Sequence, residues 1–252
     1  MLHYKTIDLN CDMGESYGRF SIGNDLEILP YISGCNIACG YHGGDPTTII
    51  QIMEYAGKSG KKLGAHPAYP DLMGFGRRSI QVSPRDLYSM ILYQVGALIS
   101  MAGSLNLKLC HVKPHGALYH DLGKDEGKAH AFCKAIYALD PKLKIYSFPN
   151  STLSKIAPEW ELTCFKEGFV DRKYLDNGTL MDRKLPGAVI HDPQSAALQA
   201  LHMVKEGWVI SDTGKRIPIQ VDTLCIHGDT EGAVEIAKEV SSILSEQGIM
   251  IQ

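Results

Sequence analysis

Leu107-Lys108-Leu109-Cys110-His111-Val112-Lys113-Pro114-His115-Gly116-Ala117-Leu118-Tyr119 is the stretch on which the reading of this chain turns. It reads as a strand near 107–113 that runs into a knot of imidazoles, a lysine and a proline. Alternate residues of a strand share a side, so His111, Lys113 and His115 belong together. A lysine among imidazoles is a poor core residue, because burying an unpaired ammonium is costly, and it suits the stabilisation of developing negative charge.

Four more apolar runs end the same way: Ile7-Asp8-Leu9-Asn10-Cys11-Asp12, Cys39-Gly40-Tyr41-His42-Gly43-Gly44-Asp45, Gly64-Ala65-His66-Pro67 and Cys225-Ile226-His227-Gly228-Asp229. Parallel strands share an end at which such knots meet. The expectation is therefore a common hollow lined by Asp12, His42, His66, Lys113 and His227.

Strand-like and helix-like runs alternate throughout, the pattern of repeated βα units around a parallel sheet. About seven units can be counted, with strands near 5–9, 34–39, 61–66, 107–113, 143–148, 161–166 and 221–227. Asp45-Pro46, Ser83-Pro84 and Asp192-Pro193 open helices, each pairing a capping oxygen with a proline where no donor is needed. A further helix follows Asp229 and runs to Gly248. Residues 208–220 read as a β-hairpin inserted before the last strand, and 67–82 and 168–187 read as active-site loops. No linker is visible, so residues 1–252 are taken as one domain.

Composition narrows the function classes. A net charge of −3 with scattered Lys and Arg gives no basic face for nucleic acid. The first residues lack the pattern of a signal peptide, and no apolar run looks long enough for a bilayer, which points to a soluble cytoplasmic protein without a membrane role. The seven cysteines lack zinc-knuckle spacing and read mainly as small buried apolar residues. No phosphate loop, dinucleotide fingerprint or nucleophile elbow occurs.

Within the knots, Asp8, Asn10 and Asp12 share a side, where carboxylates can hold a metal, orient a water or act as a base. His42 lies between glycines before a helix start that can face an anion. Asp71 and Arg77 follow His66 in the first long loop, where Arg77 would face a carboxylate or phosphate; Arg78 reads as a solvent-exposed charge. Glu167, Asp171, Arg172 and Tyr174 form a polar cluster after the sixth strand, joined by Arg183. His3, His120, His130 and His202 read as surface residues.

These strings, together with Asn36-Ile37-Ala38-Cys39-Gly40-Tyr41-His42, Pro70-Asp71, Phe75-Gly76-Arg77 and Glu167-Gly168-Phe169, closely resemble the LamB/YcsF family over nearly the whole chain. Cys11, Met13 and Gly43 depart mildly from its usual residues. The resemblance implies an α/β fold, an irregular (β/α)7-type barrel akin to the glycoside hydrolase and deacetylase superfamily. It further implies one component of an ATP-dependent 5-oxoprolinase that opens 5-oxo-L-proline to L-glutamate alongside subunits B and C, with a homo-oligomer also conceivable. On that footing Asp12, His66, Lys113 and His115 are the catalytic candidates. Asn10, Glu15, His42, Arg77, Asp171, Arg172, His227 and Asp229 are the substrate-binding candidates. In this scheme Asp12 or His66 is the base, Lys113 faces phosphate or oxyanion, and Arg77 holds the substrate carboxylate. The same knots suit two alternatives: a metal-dependent deacetylase or amidohydrolase, with Asp8, Asp12, His66 and His111 as ligands of a divalent ion, and a non-catalytic substrate-binding subunit.

Overall fold

The computed structural model describes residues 5–252; the expectation for His3 lies outside them. Strands and helices alternate: β1 (Lys5–Met13), α1 (Asp25–Ile28), β2 (Gly34–Ala38), α2 (Pro46–Lys58), β3 (Lys62–His66), α3 (Pro84–Ser104), β4 (Leu109–Val112), α4 (Gly116–Leu122) and α5 (Glu126–Leu139). There follow β5 (Lys144–Ser147), α6 (Thr152–Ile156), β6 (Cys164–Phe169), α7 (Pro193–Leu201), β7 (Trp208–Ile210), β8 (Arg216–Pro218), β9 (Thr223–Ile226), α8 (Ala233–Glu246) and β10 (Ile249–Ile251). The hydrogen-bonded order is β10-β1-β2-β3-β4-β5-β6-β9, and β1 also pairs with β9. Seven parallel strands interleaved with helices make this the α/β, (β/α)7 class expected.

The helices begin where local chemistry dictates. Asp45 Oδ1 accepts from the N–H groups of Thr47 and Thr48 at the start of α2. Ser83 Oγ accepts from Asp86 N before α3, and Asp192 Oδ2 from Ser195 N before α7. Each oxygen satisfies a donor that the first helical turn leaves unpaired.

By internal packing the chain forms two units. The first comprises the segment ending at Cys11 with Gly23–Gly34 and Lys166–Gln252. In it β1 pairs in parallel with β9, from Asp8↔Thr223 to Cys11↔Ile226, and β6 pairs with β9 on the other side. Leu9, Ile28, Leu224, Ile236 and Val240 are fully buried in its core. β7 and β8 form an antiparallel pair, Trp208↔Pro218 to Ile210↔Arg216.

The second unit comprises Asp12–Ile22 and Cys35–Phe165. Here β3, β4 and β5 are parallel neighbours, with an irregularity between Leu63 and Gly64 that brings Gly64 opposite His111. α3 buries Leu87, Ile91, Gln94, Val95, Leu98 and Ala102. Gln94 is the polar member of that face, and its amide accepts from Ala68 N and donates to Ala68 O, which fixes the backbone just after His66-Pro67.

Several expectations are corrected. β1 extends to Met13, four residues past the expected end, and β9 pairs with it as far as Cys11. β10 is an additional strand, aligned with Lys5, Thr6 and Ile7. α3 is long and apolar enough, by length and composition, to cross a membrane, although one face packs in the core. Cys110 is exposed and Cys164 half-buried, while the other five cysteines are buried. His130 and His202 are half-buried rather than on the surface, because His130 Nδ1 accepts from Trp160 Nε1 and His202 stacks on Trp208. His120 is exposed, as expected.

Candidate active site

In the second unit the strand ends deliver six ionisable side chains to one buried cluster: Asp12 from β1, Glu15 just beyond it, His42 after β2, His66 closing β3, and Lys113 and His115 after β4. Asp12 is its hub. Its Oδ1 accepts from Lys113 Nζ at 2.9 Å and from Asn36 Nδ2 at 2.8 Å, and its Oδ2 lies 3.3 Å from His66 Nε2. Asn36 Oδ1 in turn accepts from His111 Nε2 at 2.7 Å, with the His111 ring stacked on Tyr146. Two donors on one oxygen orient the carboxylate and leave the other directed at the imidazole.

Gly64 is what lets His111 reach Asn36, since a Cβ there would run into the His111 ring. The residue is glycine for close approach, not for flexibility.

His66 Nδ1 donates to the Lys113 carbonyl at 2.7 Å, and His66 Nε2 meets His115 Nδ1 at 2.9 Å. His115 Nε2 donates to the Phe75 carbonyl at 2.9 Å. His42 stacks on His115 with ring centroids 3.7 Å apart, and its Nε2 donates to Glu15 Oε1 at 2.9 Å. Phe75 adopts φ +53° and Gly76 φ +62°, a left-handed pair. For Phe75 that conformation is strained. It aims the carbonyl at His115 and packs the ring edge-on against His42 and His115.

Burial, reinforced by the charge of neighbouring imidazoles, holds His42 and His115 well below the usual histidine range, against the opposing pull of Asp12. Both rings are therefore neutral at ordinary pH and carry a lone pair. Cys39, also buried, has its thiol pushed up by desolvation and is inert as a nucleophile.

A second constellation lies in the first unit. Asp171 is fully buried and accepts from His227 Nδ1 at 2.9 Å, from His227 N at 3.2 Å and from Thr230 Oγ1 at 2.9 Å. Burial opposes its ionisation, but His227, Thr230 and Arg172 outweigh that and keep its carboxyl below the usual range. The pairing puts the proton on Nδ1 and leaves Nε2 of His227 as the basic atom. Asp229 Oδ1 accepts from Arg183 Nη2 at 2.9 Å, and Arg172 Nη2 donates to the Met181 carbonyl at 2.6 Å.

Asp8 and Asn10 lie in a hydroxyl and amide network of that first unit. Asp8 accepts from Ser33 Oγ at 2.9 Å and from Thr223 Oγ1 at 2.6 Å, and Asn10 Nδ2 donates to Glu167 Oε1 at 3.0 Å and to Thr223 Oγ1 at 2.8 Å.

Of the five residues expected around one hollow, Asp12, His42, His66 and Lys113 come together in the second unit, and His227 belongs to the first. The expected metal set changes. Asp8 is held by hydroxyls and His111 by Asn36, while one set of donor atoms that converges within 4.8 Å is that of Glu15, His42, His66 and His115. Asp71 pairs with Arg78 rather than Arg77, since the tight turn from Asp71 to Gly76 folds Arg78 back onto the carboxylate. Arg77 is exposed, its guanidinium 5.0 Å from the Phe75 ring. Asn36 and Phe75 were not among the candidates. A lone amide inside Gly34-Cys35-Asn36-Ile37-Ala38 was the available signal for Asn36, because a buried amide must find partners.

The sequence profile of the LamB/YcsF family matches residues 7–252. The chain is 44% identical over 247 residues to the A subunit of a 5-oxoprolinase from Bacillus thuringiensis subsp. konkukian (strain 97-27), covering 98% of each chain. It superposes on a lactam utilization protein from Thermus thermophilus with a TM-score of 0.93 and 42% identity, covering 98% of this chain and 99% of that one. A T48 deacetylase, 14% identical with a TM-score of 0.51 over 99% of this chain and 88% of its own, shares the fold alone. Profile, full-length identity and superposition agree, and the chain belongs to the LamB/YcsF family.

Proposed function

We propose that the chain acts in the cytoplasm as the A subunit of an ATP-driven 5-oxoprolinase, opening 5-oxo-L-proline to L-glutamate with subunits B and C. The observation that carries this reading is the buried set of Asp12, His66, Lys113 and His115, in which a carboxylate and an ammonium are held 2.9 Å apart beside paired imidazoles. The names borne by the full-length relative and by the superposed structure point to the same lactam chemistry.

A five-membered lactam is a stable amide, so its opening needs an activated carbonyl. In the proposed course the lactam oxygen takes the γ-phosphoryl group of ATP, releasing ADP; water then adds to the activated carbon, the ring C–N bond breaks as the nitrogen takes up a proton to become the amine, and a second water displaces phosphate from the resulting acyl phosphate to give L-glutamate. Asp12 Oδ2 takes the proton of that water. Lys113 faces the phosphate or the oxyanion, where a fixed ammonium acts in a water-poor setting. Arg77, exposed at the loop, holds the substrate carboxylate.

Glutamate release from 5-oxoproline tests the reading, measured with the chain alone and with its two partner subunits, each with and without ATP. Glutamate should appear only in the full mixture with ATP. The convergence of Glu15 and three histidines favours a second reading, a metal-dependent amidohydrolase. Hydrolysis of an amide or acetyl substrate by the chain alone, without ATP, would establish that reading and remove the first.

A further inference from the structure

Two backbone carbonyls fix the protons of the facing imidazoles. A carbonyl oxygen accepts and never donates, so the contact from His66 Nδ1 to the Lys113 carbonyl places a proton on Nδ1. The contact from His115 Nε2 to the Phe75 carbonyl places one on Nε2. The remaining nitrogens, His66 Nε2 and His115 Nδ1, face each other at 2.9 Å, with Asp12 Oδ2 3.3 Å from the first and Glu15 Oε1 3.5 Å from the second. Two nitrogens and a carboxylate oxygen that converge in this way share a positive centre, and their donor atoms all lie within 4.8 Å of one another.

Glu15 Oε1 lies 3.5 Å from His115 Nδ1. A divalent ion with bonds of about 2.0–2.2 Å holds adjacent ligand atoms about 2.9–3.5 Å apart, from octahedral to tetrahedral angles. The two observed separations match edge lengths of such a polyhedron. His42 does not complete it: its ring is parallel to that of His115 within 6°, and in-plane lone pairs of stacked rings run side by side. Its Nε2 instead braces Glu15 from outside, the usual place of a supporting group.

We infer that Glu15, His66 and His115 form a two-histidine, one-carboxylate site for a divalent transition-metal ion of the zinc or iron type. Asp12, with Oδ2 3.3 Å from His66 Nε2, stands beside this site as the acceptor of a water proton. When bound, the ion supplies Lewis acidity, lowering the pKa of water and polarising a carbonyl. The inference deepens the proposed function by placing the water next to Asp12, but the donor geometry does not depend on the lactam or on ATP.

The test is cobalt uptake by the full chain after stripping with EDTA. About one equivalent of Co²⁺ should bind, with a visible absorption spectrum of nitrogen and oxygen ligands and no thiolate band. His115→Ala and Glu15→Gln should each weaken uptake at least about 100-fold, while His202→Gln, remote in sequence and stacked on Trp208, should retain it. Uptake well below one equivalent, or undiminished in His115→Ala, would overturn the site. Should the variants fail to fold, nitrogen NMR of the unaltered chain decides. Shifts of His66 Nε2 and His115 Nδ1 on adding Zn²⁺ support the site; one proton shared between them and indifferent to Zn²⁺ refutes it. Stoichiometric uptake without ATP-dependent glutamate release would remove the proposed function and leave the metal site standing. Full activity from a metal-free chain in the complex would do the reverse.

Discussion

Asp8 and Asp12 lie on the same side of β1 and both are buried, yet their partners differ in kind. Asp8 is held by the hydroxyls of Ser33 and Thr223, groups that do not change charge near neutral pH. Asp12 is held by an ammonium and an amide and faces an imidazole, so its surroundings contain groups that can exchange protons with it. Burial alone therefore does not separate scaffold from chemistry. The protonic character of the partners does.

The sharpest way to break this contrast is the pair Asp12→Asn and Asp8→Asn. Asp12→Asn should lower turnover of the reconstituted complex by about 10²–10⁴-fold. Asp8→Asn should instead lower stability by about 1–3 kcal/mol, because a hydroxyl loses its acceptor, with turnover per folded molecule nearly unchanged. Denaturant melts and steady-state rates on the same preparations separate the two effects, and equal loss of turnover in both variants would erase the distinction.

Gly64→Ala should come next. The new methyl displaces the His111 ring and frees Asn36 from its proper orientation, so about 1–3 kcal/mol of stability and about tenfold in turnover should go together. Asp171→Asn probes the first unit, since it removes the group that fixes the tautomer of His227. A rise in KM of about tenfold with kcat nearly unchanged is expected if His227 binds substrate; a fall in kcat alone would move His227 into the chemistry.

The smallest effect is in pH. The Asp171 carboxyl is depressed in the folded state, so the unfolded chain takes up its proton first as the solution is acidified. Its contribution to stability is present above the ordinary carboxyl pKa of 3.8 and is lost as pH falls below it towards the folded value. The stability gap between Asp171→Asn and the unaltered chain should therefore shrink below about pH 4 and stay level above it.

The parallel α/β class was legible because the knots mark strand ends and the Asp-Pro and Ser-Pro pairs mark helix starts, both of which are local signals. The alternation of His111, Lys113 and His115 likewise grouped the three on one side, whereas their partners Asn36, Asp12 and His66 come from other strands. What stayed hidden depends on the far side of each contact. Asp8 and Asp12 look equivalent in sequence until Ser33 and Thr223 close around one of them. Arg77 and Arg78 are adjacent, and the turn that delivers Arg78 to Asp71 is set by a left-handed Phe75 that no residue pattern announces.

That left-handed Phe75 has a consequence for engineering. Asparagine tolerates this backbone better than an aromatic, so Phe75→Asn relieves an unfavourable conformation worth about 1–3 kcal/mol. The same exchange strips the ring from the faces of His42 and His115 and from beneath Arg77. A selection for heat resistance alone would thus drift toward a hardier molecule with a loosened histidine nest, and a screen that scores both traits would keep the aromatic.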